Sequence, residues 1–122
     1  MIEAQLFRAD GVVVVLPSVA LTAVDFEQLA ALVDPYIDAN GELKGLMIVA
    51  ERFPGWESFG ALVGHIRFVR EHHRRIRRIA AVSDGAILSI LPALGKHFVQ
   101  AEVRHFPFAE RDGAMLWLKQ RR

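Results

Sequence analysis

Val12-Val13-Val14-Val15-Leu16 is an unbroken apolar run in which four residues are β-branched. A run of this kind, without polar alternation, fits a strand buried on both faces between covering layers. Asp10-Gly11 stands directly before it, and residues 2–8, IEAQLFR, carry strand propensity of their own. Gly tolerates positive φ and Asp tolerates the left-handed region, so the dipeptide predicts a hairpin turn. The reading is an antiparallel pair, 2–8 with 11–16, ended by Pro17 and Ser18.

Outward from that hairpin, apolar strands alternate with helical periodicity. Thr22 is placed to cap a helix through its hydroxyl, with Asp25 favouring the positive end of the dipole. Phe26, Leu29, Ala30, Val33 and Ile37 then line one face of a helix to about Ala39. Pro35 removes one backbone donor and predicts a kink or a tightened last turn. Asn40-Gly41 is a stop. Gly45–Ala50 reads as a strand, 56–73 as a helix, Ile79–Val82 as a strand ended by Ser83-Asp84-Gly85, and 86–98 as a helix. The strand Glu102–Phe106 and a short helix holding Ala114, Trp117 and Leu118 follow. The pattern predicts one α/β domain over 1–122: a five-stranded mixed sheet with about four helices, in the order β-β-α-β-α-β-α-β-α.

Composition narrows the function. The 122 residues are 52% hydrophobic and 24% charged, which reads as a packed globule able to fold without staples. The absence of cysteine excludes disulfides, a thiolate nucleophile and Cys-ligated metal. Met1-Ile2-Glu3-Ala4 shows no basic segment ahead of an apolar run, and the longest apolar stretch is short of the roughly 20 residues of a membrane span, so a cytoplasmic location is expected. The five histidines carry no metal-ligand spacing: His65 and His72 lie about 10 Å apart along a helix. There is no GxSxG, no GxGxxG after a strand and no GxxxxGK[ST]. No catalytic residue, metal or cofactor is expected.

Charge is balanced overall but not along the chain. Residues 1–66 hold three basic and nine acidic residues, a net of −6, whereas 67–122 hold twelve basic and five acidic, a net of +7. Six of those twelve lie in RFVREHHRRIRR, residues 67–78. Arg67, Arg70 and Arg74 fall on one helical stripe, a candidate anion-binding face, continued by Arg75, Arg77 and Arg78. Two bland readings compete: cations at a helix C-terminus are favoured by the dipole, and Asp34, Asp38 or Glu42 can pair with the run. A pI near 8.3 argues against a dedicated nucleic-acid binder. In the helix 86–98, Ile87, Ile90, Leu91 and Leu94 share a face and Leu88 widens the apolar arc to about 160°. Pro92 weakens the helix at its middle. Its bland reading is a face buried under neighbouring loops; its functional one is an apolar lid or pocket, or a surface meeting a partner or membrane.

The element order, together with FPGW (53–56), HIRFVREHH (65–73), RIAAVSD (78–84), EVRHF (102–106) and AMLWL (114–118), resembles the SpoIIAA-like family, related to STAS domains. The resemblance runs over essentially the whole chain. It implies a small α/β domain that acts as a protein-interaction or ligand-sensing module rather than an enzyme. It also places Ser58 on the phosphoacceptor position of the anti-sigma-factor antagonists, with Glu57 where they have Asp. Phe59 and Trp56 are bulkier than the family's surroundings, so Ser58 is expected to serve as a first-turn helix cap. Two functions stay open. One is a regulatory module docking a protein partner, with homodimerisation as a further possibility. The other is a sensor of an apolar anionic, acyl- or lipid-like ligand with peripheral membrane contact.

Overall fold

A computed structural model describes residues 2–17, 20–51, 68, 71–72, 75–84 and 102–120. Strands β1 (Ile2–Phe7) and β2 (Val12–Pro17) form the hairpin, and α1 (Ala23–Asn40) follows. Strands β3 (Leu43–Val49), β4 (Ile76–Val82) and β5 (Glu102–Phe106) come next, then a 3-10 turn (Phe108–Glu110) and α2 (Arg111–Lys119). The five strands make one sheet in chain order, β1-β2-β3-β4-β5. Only β1 runs antiparallel to its neighbour; β2 to β5 are parallel.

The α/β class and the mixed five-stranded sheet are as expected. The helix count and order differ: among the described residues there are two α-helices, not about four, and the order is β-β-α-β-β-β-α. The helices expected over 56–73 and 86–98 lie outside the described residues, except that Phe68, Glu71 and His72 are helical.

Local chemistry explains most boundaries. Gly11 sits at φ 68° and closes the first hairpin, where its carbonyl accepts from Lys44 and Gly45 N–H. Thr22 and Asp25 form a complete capping box, each side chain accepting from the other's backbone N–H. The helix continues through Pro35: Ala31, whose carbonyl loses its donor there, is exposed and open to water. Gly41 at φ 88° returns its N–H to Ile37 and ends the helix. β4 starts three residues earlier than the apolar pattern indicates, because Arg77 and Arg78 belong to the strand and find acidic partners there.

Both faces of the sheet are covered. Val13, Val15, Leu46 and Ile79 pack with Leu29, Val33 and Ile37 of α1 on one face, where Phe68 and Ile76 join them. Val12, Val14, Met47, Val49, Ala80 and Val82 pack with Ala114, Trp117 and Leu118 of α2 on the other. The valine run is thus split alternately between two cores. At Gly45 an added Cβ would lie 2.9 Å from Leu118, so the glycine lets α2 sit directly on β3.

Candidate functional site

The parallel strands deliver their C-terminal ends to one edge, the edge at which sheets of this architecture place ligands and partners. Three strand ends are stitched together there. Ala50 N–H donates to Val82, Ser83 N–H to Phe106 and Asp84 N–H to Glu51, each at 3.0 Å. Ser83 is buried, and its hydroxyl lies 3.3 Å from the Glu51 carbonyl and 3.4 Å from the Asp84 carbonyl. His105, half-buried on β5, donates from Nε2 to the Ser83 carbonyl at 2.6 Å. Asp84 accepts the Phe108 N–H at 3.0 Å and so fixes the start of the 3-10 turn.

The arrangement brings a serine, a histidine and two carboxylates to one edge without making a catalytic relay. His105 engages the carbonyl of Ser83, not its hydroxyl, and the hydroxyl points at carbonyls. A nucleophile needs its base within hydrogen-bond reach of the attacking oxygen. Glu51 and Asp84 are exposed, so the edge presents two carboxylates to solvent. Among the described residues no group of three or more His, Asp or Glu is placed to hold a metal ion.

Ser58, the stripe Arg67, Arg70 and Arg74, and the apolar set Ile87, Leu88, Ile90, Leu91 and Leu94 are all outside the described residues. The described part of the basic run is paired with acids, as its blander reading anticipates. His72 bonds to Asp34 at 2.7 Å, Arg75 approaches Asp38 at 3.6 Å, and Arg77 pairs with Glu42. Arg78 turns to the other face of the sheet and binds Glu102 at 2.9 Å. Residue reading missed the strand-end group. Ser83-Asp84 looked like a strand stop, and His105 was one letter of EVRHF. The signal that could have found it is register: Ala81 pairs with His105, so Ser83 lies two residues further along the same face, diagonal to the ring, once β4 and β5 are known to be parallel neighbours.

No helix among the described residues is long and apolar enough to cross a membrane. The crystal structure of an uncharacterised protein of the DUF3478 family from Shewanella loihica PV-4, with a SpoIIAA-like fold, superposes with a TM-score of 0.70. It shares 19% identity, with 97% of this chain and 92% of that one covered. No curated protein matches the sequence. The SpoIIAA-like family model matches residues 12–119, from the valine strand to the last residue of α2. That match spans most of the chain, and the chain belongs to the SpoIIAA-like family.

Proposed function

We propose that the chain is a non-enzymatic regulatory module that docks a partner protein at the carboxyl edge of its parallel strands. The observation that carries this reading is the commitment of Ser83 and His105 to backbone carbonyls, which spends their polar groups on shaping the edge. The 39% exposed Phe108 offers an aromatic contact, and exposed Glu51 and Asp84 can serve as its polar rim. Ser58 stays a helix-start residue in this reading, and the cytoplasm is its setting.

The alternative is a sensor of an acyl- or lipid-like anion, using Arg67, Arg70 and Arg74 for the charged end and Ile87, Leu88, Ile90, Leu91 and Leu94 for the chain. Native mass spectrometry of freshly purified protein separates the two. Docking a protein predicts the bare chain mass, together with a crosslink to one protein from a photo-reactive residue at position 108 in the native cell. A co-purified acyl or lipid mass, or the lack of any protein crosslink, overturns the docking reading.

A further inference from the structure

His72 is buried, stacked on Phe68 with ring centroids 4.0 Å apart and planes 16° from parallel. Its Nδ1 lies 2.7 Å from the Phe68 carbonyl oxygen and its Nε2 lies 2.7 Å from Asp34 Oδ1. A carbonyl only accepts, so Nδ1 must carry a hydrogen. A carboxylate also only accepts, so a second hydrogen must lie between Nε2 and Oδ1, on the ring or on the acid. We infer that His72 and Asp34 form a proton-dependent latch holding the helical segment of Phe68, Glu71 and His72 against α1.

Loss of that proton leaves one hydrogen for two acceptors: in one tautomer the Nε2 lone pair faces the Asp34 carboxylate, in the other the Nδ1 lone pair faces the Phe68 carbonyl, each at 2.7 Å. Flipping the ring gives no escape, because it would turn C–H groups to both acceptors and leave buried polar groups unpaired. In either tautomer one of the two hydrogen bonds that seat the ring is lost, so the latch weakens. The surrounding charges do not take over its task among the described residues: Asp38 on α1 faces Arg75, Glu42 faces Arg77 at the start of β4, and Glu71 is exposed. The latched form holds one proton more than the open form with a neutral imidazole. Docking therefore weakens as pH rises, the direction expected when the structured state binds more protons. Phe68 also belongs to the apolar core and lies 6.4 Å from Phe26, so opening would reach α1 as well as the surface.

The test is an NMR titration of the intact chain from about pH 5 to about pH 9, bracketing the imidazole range. It follows the ring nitrogens of His72, the carboxyl carbon of Asp34 and the exchange protection of the Phe68, Glu71 and His72 amides. The expected result is one shared transition for ring and carboxyl, with protection falling several-fold across it. His72→Gln, which cannot titrate, should lose that dependence. A ring that shows no transition, amide protection independent of the ring, or an unchanged pH dependence in His72→Gln overturns the latch. Should that variant not fold, the coupling in the unaltered chain still decides.

Discussion

Arg78 grips Trp117 twice: its Nη1 donates to the Trp117 carbonyl at 2.7 Å while its guanidinium lies 5.1 Å from the centre of the same indole. The carbonyl is one of the last acceptors of α2, where it also receives the Gln120 N–H at 3.3 Å and where a cation is favoured by the helix dipole. Nε of Arg78 binds Glu102 at 2.9 Å, so one side chain ties β4 to β5 and to α2. Arg78→Ala should cost about 2 kcal/mol, combining a charged hydrogen bond with a cation–π contact. Arg78→Lys should recover only part, since an ammonium cannot fork to both partners. Urea denaturation of the two variants checks this; equal midpoints for Lys and Arg would contradict it.

Gly45→Ala should destabilise by about 1–3 kcal/mol, the usual cost of overpacking. The new methyl meets Leu118, which is fully buried and has no room to retreat. The double variant Gly45→Ala/Leu118→Ala should cost less than the sum of the single ones, because it removes Cγ and Cδ2 of Leu118 from beside the new methyl while leaving Cβ. Additive losses in thermal unfolding would show that the contact is not the cause.

Removing the cap with Thr22→Ala should lower stability by about 1 kcal/mol. Thr22→Ser keeps a hydroxyl for the Asp25 N–H and should stay within about 0.5 kcal/mol of the unaltered chain. Circular dichroism during denaturation reads both, and equal losses for Ala and Ser would argue against the hydroxyl.

The ion pairs that Asp38 and Glu42 make should differ in weight. Arg75 and Asp38 are 55% and 77% exposed and 3.6 Å apart, so Arg75→Ala should change stability by no more than about 0.5 kcal/mol. Arg77 is 18% exposed and its Nε is buried without a partner. Arg77→Met, which fills the same volume without a charge, should therefore be close to neutral, whereas Arg77→Ala should cost about 2 kcal/mol through lost packing. Denaturant midpoints for the three variants check the order; a Met variant as weak as the Ala variant would mean that the charge matters more than the packing.

The fold was legible where apolar spacing alone decides it. Val12–Leu16 announced a strand with two buried faces, and Thr22, Asp25 and Gly41 marked both ends of α1 by local chemistry. The start of β4 was not legible, because Arg77 and Arg78 look like solvated charges until Glu42 and Glu102 are brought beside them from distant parts of the chain. The strand-end group was hidden for a related reason. Ser83 and His105 are 22 residues apart and meet only through the parallel register of β4 and β5. Local patterns encode elements; which side chains share an edge is set by the order in which those elements pair.

The late position of α2 bears on how the chain is made. The sheet face it roofs is built from β2, β3, β4 and β5, all of which leave the ribosome before it does. Until Trp117 and Leu118 emerge, that apolar face lacks the cover they provide, while the α1 side can already close. A nascent chain at this stage exposes apolar surface that Trp117 and Leu118 later cover, a condition that favours sticking to other chains. The interval between synthesis of β5 and docking of α2 is thus when a chaperone would have most to do, and slow translation there would raise the demand for one.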